Sequence, residues 1–290
     1  RIEQRFHKMI ELGFKAEVEK HLIDKAENTA FIINGRISSL FQFLEGIARL
    51  PFLRDDGISN LEKAKRLKKQ ATLNKTIEDL YIVEKSGIAH LKNGRTVSYA
   101  NDEWFSISKG GRANITDPFY DTNNSNVFVM RLSVPIYNDK KSVVGVLYAD
   151  LDGCWLSDNI KDILIGETGY CYIIDQKGIT IADEENECVR NFENTIEASK
   201  KDASLISQAQ MEKMALTSSN STVSQWSSNG ITYISSFAKL KFNEWMVFIQ
   251  APVKEFLGAI TLLRLTMIAI GTGIVLGSLV LIDIVAITVL

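Results

Sequence analysis

The sequence contains few cysteine and histidine residues, which limits the chemistry that it offers. Cys154, Cys171 and Cys188 form no CxxC pair, and an odd number of cysteines cannot close a disulfide framework. The three histidines are too dispersed to suggest a zinc site. We therefore predict no metal and no cofactor, and we interpret the cysteines as small buried hydrophobic residues.

Neither sign of charge is in clear excess. The chain has 33 Lys and Arg against 35 Asp and Glu, a formal net charge of −2. Nucleic-acid binding needs clustered Lys and Arg, so we predict no nucleic-acid partner. The stretches GETGY and SKGGR lack the GxxxxGK[ST] and GxGxxG patterns of phosphate loops, and no Ser, His and Asp set can be assembled. We predict that the chain is not an enzyme.

Charge is also absent from a long run near the C-terminus. Leu265 to Ile282 carries no charged residue, and about 20 apolar residues span a bilayer. We predict a transmembrane helix over residues 261–283; a buried core helix is the alternative, although soluble cores rarely need apolar residues all round a helix. The chain begins at Arg1 without the apolar core of a signal peptide. We therefore expect a longer protein with a cytoplasmic signalling module after Leu290.

The first fifty residues carry a helical pattern. Apolar residues recur every three or four positions from Arg1 to about Leu50, which predicts a long amphipathic helix that ends at Pro51. The stretch NLEKAKRLKKQATLN predicts a second, more basic helix.

The pattern then changes to that of strands. DLYIVEKSGIAHL predicts two strands joined by a turn at residues 85–87, and NVFVMRLSVPIY and SVVGVLYADLD predict two more, joined by a hairpin loop at 138–141. Pro135 favours an edge or a strand end. After a short helix, GYCYIIDQKGITIAD repeats the first hairpin pattern, and ITYISSFAKL and EWMVFIQAP predict the last strands. We predict an α+β fold in which one α+β unit occurs twice.

Three consecutive segments carry a resemblance to a known family: IGETGYCYIIDQKGITIAD, SSFAKLKFNEWMVFIQAPVKEF and the apolar run. Over nearly its whole length the chain resembles the double Cache family, extracytoplasmic sensor modules of bacterial chemoreceptors, sensor kinases and cyclic-dinucleotide enzymes. The resemblance implies a long signalling and dimerisation helix (1–50), a membrane-distal PAS-like ligand-binding domain (51–155), a membrane-proximal PAS-like domain (156–255) and the transmembrane helix (261–283). It also implies a homodimer in the cell membrane, with the sensor domain extracytoplasmic and a first membrane helix before Arg1.

Family members that bind amino acids carry a pocket motif in the distal domain. The motif runs Arg, one residue, Trp and an aromatic, continues with Pro-aromatic-x-Asp, and ends with an Asp that closes a Gly-Val strand. The resemblance assigns these ligand-binding positions: Tyr81, Asp102, Trp104, Phe105, Phe119, Asp121 and Asp150.

Asp102 departs from the family pattern, because it stands where the carboxylate-binding Arg is expected. An Arg fork grips a ligand carboxylate, whereas an Asp repels it. Asp121 and Asp150 would accept hydrogen bonds from an ammonium group, and nearby aromatic rings would add cation–π attraction. An amine therefore fits better than a free amino acid, although Arg112 or Arg131 offers a displaced carboxylate clamp.

Structural roles are the alternative interpretation of the same residues. Trp104 and Phe105 suit ordinary core packing, and Asp121 suits a turn beside Thr122. Asp150 follows an apolar run, so it either emerges into solvent or needs a partner.

The sequence as a whole predicts the extracytoplasmic ligand-sensing region of a transmembrane chemoreceptor, of the methyl-accepting chemotaxis type, that binds a small amine-containing metabolite. The alternatives are the same sensor in a histidine kinase or diguanylate cyclase, or a ligand without an amine, such as an organic acid or a purine. In the second unit we expect structural roles for Tyr170, Tyr172 and Asp175, with a second ligand site as the alternative.

Overall fold

The computed structural model describes residues 2–55, 57–91, 94–123, 126–163 and 165–256 and the single positions 266, 270 and 277, with side chains from residue 15 onward. The helices are α1 (Ile2–Ala48), α2 (Pro51–Arg54), α3 (Asn60–Ala71), α4 (Glu103–Lys109), α5 (Trp155–Ile160), α6 (Asn186–Arg190), α7 (Thr195–Ala198) and α8 (Ile206–Thr217), with a 3-10 helix at Ala203–Leu205. The strands are β1 (Asp79–Glu84), β2 (Ile88–His90), β3 (Thr96–Ser98), β4 (Asn114–Ile115), β5 (Phe119–Asp121), β6 (Val127–Tyr137), β7 (Val143–Asp152), β8 (Tyr170–Ile174), β9 (Thr180–Ala182), β10 (Val223–Ser228), β11 (Ile231–Lys239) and β12 (Met246–Pro252).

Helix α1 is the long helix predicted from the sequence. Its buried positions follow the predicted spacing of three or four residues: Leu22, Ala26, Ala30, Ile33, Ile37, Leu40, Phe41 and Leu44. This face packs against β6 and β7 and also against β10, β11 and β12. Asn34 Oδ1 accepts a hydrogen bond of 2.9 Å from the Lys241 backbone N–H. One helix therefore supports two sheets.

The first sheet has the strand order β3-β2-β1-β7-β6-β4, with β5 also paired to β6. All its pairs are antiparallel, and the predicted hairpin at 138–141 joins β6 to β7. Pro135 lies beyond Ser133, where β4 stops pairing, so among the described residues this end of β6 pairs only with β7. The edge position predicted for Pro135 is confirmed.

The second sheet has the order β10-β11-β12-β8-β9 and is also antiparallel. In the turn between β8 and β9, Asp175 Oδ1 accepts hydrogen bonds of 2.8 Å from the backbone N–H groups of Lys177 and Ile179. Gly178 has φ +82, a conformation that glycine adopts at little cost. Asp175 therefore has the structural role expected from the sequence.

Two hydrogen bonds connect the loop before β12 to the end of β4 and the segment that follows it. Trp245 Nε1 donates to Asp117 Oδ1 at 2.6 Å, and Asn243 Nδ2 donates to the carbonyl of Ile115 at 2.5 Å. Since Trp245 is fully buried, these contacts tie the two sheets together at one place. That place borders the candidate site.

Several elements lie outside the sequence predictions. Helix α4 and the short strands β3, β4, β5 and β10 were not predicted. Cys154 and Cys171 are buried as expected, whereas Cys188 is partly exposed. Within the described residues no helix combines the length and hydropathy needed to cross a bilayer. The transmembrane helix predicted over 261–283 lies, apart from three single positions, outside the described residues.

Candidate functional site

Three charged residues lie side by side on three neighbouring strands of the first sheet. Arg131 of β6 pairs with Asp150 of β7, and Asp150 pairs with Asp79 of β1. Successive side chains of a strand point to opposite faces, and the flanking Met130 and Leu132 belong to the core that α1 covers. The three charges therefore share the sheet face away from α1.

Arg131 forms a buried ion cluster with two of the predicted site residues. Its Nε and Nη2 donate to the two oxygens of Asp150 at 2.7 and 2.9 Å, and Nη2 also donates to Asp121 Oδ2 at 2.6 Å. Arg131 is fully buried and each carboxylate is 3% exposed. We call these three residues the Arg131 cluster. Arg131 is thus the partner that the burial of Asp150 requires.

The remaining nitrogen of this guanidinium has no acceptor. Among the described residues, Arg131 Nη1 is buried without a hydrogen-bond partner. Burial acts to lower the pKa of Arg131, but the charge and hydrogen bonds of Asp150 outweigh it and raise this pKa well above its ordinary value. Arg131 therefore stays charged at the centre of the cluster.

Four aromatic rings enclose the guanidinium. The Arg131 Cζ atom lies 4.3 Å from the ring centroid of Tyr148, 4.9 Å from that of Tyr99, 5.0 Å from that of Trp104 and 5.3 Å from that of Phe119. These distances are within the range of cation–π attraction. We predict aromatic rings and carboxylates around a ligand cation. In the structure they surround Arg131, a cation of the chain itself.

Tyr99 connects the rings to the ion cluster. Its hydroxyl donates to Asp121 Oδ2 at 3.2 Å, and the Tyr148 hydroxyl lies 3.4 Å away. Burial raises the pKa of Tyr99 to about 12, with the charge of Arg131 opposing the shift. The phenol therefore remains a neutral donor at physiological pH.

The structure brings four predicted site residues around one point and places the other three at its margin. Trp104, Phe119, Asp121 and Asp150 surround Arg131.

The other three contact this group from outside. Tyr81 is buried, stacks on Tyr148 at 4.9 Å between centroids and donates to Asp79. Phe105 is buried behind Trp104, with centroids 6.0 Å apart. Asp102 is the N-cap residue before α4, and its Oδ2 accepts a hydrogen bond of 3.0 Å from Trp104 Nε1, which orients the indole.

Tyr99 and Tyr148 are site residues that sequence reasoning missed. Tyr148 stands two residues before Asp150 on β7, so the strand period places both on one face. That signal was present in the sequence. Tyr99 lies outside any strand, and no periodic pattern marked it.

A cavity of 560 Å³ adjoins the rings of Trp104 and Phe119. We call it the aromatic cavity. The first sheet and its connections provide Asp102, Glu103, Trp104, Ile107, Asn114, Ile115, Thr116, Asp117, Pro118 and Phe119, and the second sheet's turns provide Asp175, Gln176, Lys177 and Asn243. Its size is typical of a small-molecule site.

The aromatic cavity is acidic. Asp102, Glu103, Asp117 and Asp175 line it, and Lys177 is the one cationic side chain among the described lining residues. Burial raises the pKa of Asp117 above its ordinary value, and the hydrogen bond from Trp245 opposes this shift. A concave surface with an excess of carboxylates attracts cations.

Two antiparallel sheets thus pack on one long helix, with a cavity lined by residues of both parts. The chain belongs to the double Cache family: the family model described as a Cache domain (dCache_1) matches residues 6–260. The family resemblance inferred from the sequence is confirmed.

Solved structures with a similar fold include domains of receptors from other bacteria. The ligand-binding domain of the Pseudomonas fluorescens chemoreceptor CtaA, in complex with L-leucine, is 16% identical with a TM-score of 0.64, covering 84% of this chain and 99% of that chain. The ligand-binding domain of the Campylobacter jejuni chemoreceptor Tlp3, in complex with 4-methylisoleucine, is 15% identical with a TM-score of 0.63, covering 84% and 93%. The extracellular domain of the putative histidine kinase mmHK1S-Z2 is 15% identical with a TM-score of 0.59, covering 82% and 98%. No curated protein matches the chain.

Proposed function

We propose that this Cache domain is the extracytoplasmic sensor of a transmembrane chemoreceptor, and that it binds a small amine-containing metabolite, an amine or an amino acid, in the aromatic cavity. Family membership supports the sensor role. The observation that carries the ligand class is the acidic, aromatic lining of the cavity.

The charges of the cavity favour an ammonium group. Among the described lining residues, four carboxylates face the single positive charge of Lys177: Asp102, Glu103, Asp117 and Asp175. Trp104 and Phe119 present aromatic rings beside these carboxylates, and each ring adds about 0.5 to 2 kcal/mol for a cation placed over its face. An organic acid without an amine meets repulsion in the same place.

A cationic side chain at the cavity would favour an amino acid over a simple amine. Lys177 is the one such side chain among the described lining residues, and it would pair with a ligand carboxylate, whereas Arg131 is fully buried behind the lining. In this proposal Asp121 and Asp150 act indirectly, because their oxygens already hold Arg131. They fix the guanidinium, which in turn lies against the Trp104 and Phe119 rings that line the cavity.

Ligand binding here provides a route to signalling. The aromatic cavity is lined both by the segment around Trp104 and Phe119 and by the turns at Lys177 and Asn243 of the second sheet. We assign these two parts to a distal unit (51–155) and a proximal unit (156–255). A ligand that contacts both favours one arrangement of the units, and only such differential affinity shifts a conformational equilibrium.

The proposal places the chain in a homodimer at the cell membrane. Phe31 and Ile32 of α1 are 76% and 50% exposed, and apolar side chains exposed on a long helix suit a helix–helix contact. The output is chemotaxis, in line with the chemoreceptor neighbours; a histidine kinase or a diguanylate cyclase is the alternative, and the neighbours do not favour the kinase.

Calorimetric titration with a matched pair of compounds tests the ligand class. L-Leucine and 3-methylbutylamine differ only by a carboxylate, and 4-methylpentanoic acid has the carboxylate without the amine. We expect the amine or the amino acid to bind and the acid not to bind. Tighter binding of L-leucine than of the amine would indicate a cationic partner for the carboxylate, and Lys177 is the one among the described lining residues. Binding of the acid alone would contradict the proposal.

Asp102→Asn is expected to weaken amine binding about tenfold. The variant removes one rim charge, and about 1.4 kcal/mol corresponds to tenfold in affinity, while the amide oxygen still accepts from Trp104 Nε1. Calorimetry with the tightest-binding amine of the series measures the change. The exposed Glu17→Gln on α1 removes the same charge away from the cavity and is expected to leave affinity unchanged. Equal affinity in both variants would contradict the placement of the ligand.

A further inference from the structure

Strand β5 has two faces that lead to different parts of the molecule. Phe119 lines the aromatic cavity, and Asp121 accepts a hydrogen bond of 2.6 Å from Arg131. Because successive side chains of a strand alternate between faces, Tyr120 points away from the cavity. Among the described residues this strand of three residues pairs only with β6. Contacts of its side chains therefore help to hold it in place.

Tyr120 contacts a residue from the part of the chain built around the second sheet. Its ring centroid lies 4.8 Å from that of Phe128 of β6 and 6.0 Å from that of Phe192. The centroids of Phe128 and Phe192 are 6.1 Å apart, and all three distances are typical of attractive aromatic pairs. Phe192 follows α6, a helix that packs against β9 of the second sheet. We call Tyr120, Phe128 and Phe192 the Phe192 triad.

Further contacts hold Phe128 in place. Arg190 Cζ lies 5.1 Å from the centroid of its ring, and Val189 and Cys154 form a small buried cluster with it. A Cβ added at Gly153 would lie 2.3 Å from Phe128 Cδ1, so the ring packs tightly on the backbone after β7. Phe128 is therefore a fixed support for the other two rings.

Phe192 stands at a position where glycine is usual. Its N–H donates to the Val189 carbonyl at 3.1 Å, and the next N–H, of Glu193, donates to the Cys188 carbonyl at 2.9 Å. These two bonds define a Schellman motif, whose left-handed residue is most often Gly. Phe192 has φ +53, a conformation that is uncommon for a bulky side chain. The chain thus accepts backbone strain at a residue whose ring contacts the first sheet.

We propose that Phe192 is a positioning residue of the aromatic cavity, and that the Phe192 triad couples occupancy of the cavity to α6. A ligand that packs against Phe119 favours one position of β5, and a shift of this strand moves Tyr120 against Phe192. Such coupling is reciprocal: if the ligand stabilises the triad, the triad strengthens ligand binding by the same factor. This inference rests on the proposed ligand site and specifies how that site reaches the second sheet.

A second connection runs from the cavity to the same region. Asn194 Nδ2 donates to the carbonyl of Lys177, a lining residue, at 2.9 Å. A ligand beside Lys177 reaches the segment after α6 by this route, without the triad. Removing the Phe192 ring breaks one connection and leaves the other in place.

Hydrogen–deuterium exchange of Phe192→Gly tests the triad. Glycine suits the left-handed backbone, and the lost ring is 40% exposed, so the variant is expected to fold. Without ligand, the amides of residues 117–123 should exchange about fivefold faster than in the unchanged protein, the lower end of ordinary coupling between two sites. Phe192→Tyr keeps a ring and should restore slow exchange. The control is Phe31→Ala on α1, a residue that is 76% exposed, and it should leave exchange at 117–123 unchanged.

Ligand binding gives the second readout. The probe is L-leucine or 3-methylbutylamine, whichever binds more tightly. At saturation it should slow exchange over residues 186–192 in the unchanged protein and in Phe192→Tyr, but not in Phe192→Gly. The affinity of Phe192→Gly for the probe should fall about fivefold.

Two results would overturn the coupling: unchanged exchange at 117–123 in Phe192→Gly, or equal slowing of 186–192 by the probe in Phe192→Gly and in the unchanged protein. If neither compound bound to the unchanged protein, the proposed ligand site would be contradicted instead. The exchange at 117–123 without ligand would then still decide whether Phe192 positions β5.

Discussion

Replacing Arg131 with Met is expected to lower the free energy of unfolding by about 3 to 5 kcal/mol, the usual effect of leaving a buried charge without its partner. Asp121 and Asp150 are each 3% exposed, and Arg131 donates the three charge-assisted hydrogen bonds that compensate them. Met fills a similar volume, so the loss reports on charge more than on packing. Urea denaturation followed by tryptophan fluorescence measures the change.

Two comparisons make this result specific. Arg49→Met removes an arginine whose side chain is 81% exposed and lies 3.8 Å from Glu45, and we expect a change below about 0.5 kcal/mol. The triple variant Asp121→Asn/Arg131→Met/Asp150→Asn leaves no charge in the cluster and is expected to recover part of the loss. If Arg131→Met unfolded at the same urea concentration as the unchanged protein, the cluster would not be a buried, coupled unit.

Glu212→Gln is expected to stabilise the protein at alkaline pH and not at acidic pH. Burial raises the pKa of Glu212 from an ordinary 4.5 to about 7, against opposing hydrogen bonds from Tyr172, Gln208 and Thr195. Below pH 4.5 the carboxyl is protonated in both the folded and the unfolded state, so it imposes no cost. As the pH rises towards 7, the unfolded state ionises first and folding loses stability, up to about 3 kcal/mol above pH 7.

The variant lacks this titration, so its advantage over the unchanged protein should grow by about 2 to 3 kcal/mol between pH 4.5 and pH 8. Urea denaturation at both pH values measures the difference. The exposed Glu17→Gln serves again as the control and should change the free energy of unfolding by less than about 0.5 kcal/mol at either pH. An advantage that is the same at both pH values would mean that Glu212 ionises normally in the folded protein.

Much of the fold could be predicted because its patterns are long and local. The apolar spacing along α1 and the β-branched runs of β1, β6 and β7 specify one element each. The elements that were missed are short: α4 covers Glu103–Lys109, and β4 covers Asn114–Ile115. Tertiary contacts hold such segments in place, and a single sequence shows no period for them.

The Arg131 cluster could not be predicted from the sequence because of one irregularity. Near the hairpin Tyr137 pairs with Val143, and continuing that register would set Arg131 opposite Ala149. A β-bulge at Ile136 and Tyr137 shifts the register by one, so that Arg131 faces Asp150. Since a shift of one residue exchanges the faces of a strand, the ion pair depends on a feature that no residue pattern revealed.

The Arg131 cluster also explains why the motif around Trp104 fits both core packing and ligand binding. Trp104 is 6% exposed and packs like a core residue, yet its ring contacts both Arg131 and the aromatic cavity. Asp121 and Asp150, which the sequence analysis assigns to a ligand cation, bind Arg131 instead. None of these three residues lines the aromatic cavity among the described residues. We therefore propose that the ligand contacts Asp102 and Asp117, which line the aromatic cavity.

The most direct test of the proposed function is a crystal structure of the protein with the tightest-binding amine or amino acid of the leucine series. We predict the ligand nitrogen within hydrogen-bond distance of an Asp102 or Asp117 carboxylate oxygen, with the carbon chain against Trp104 and Phe119. A ligand bound elsewhere, with the aromatic cavity empty, would contradict the account.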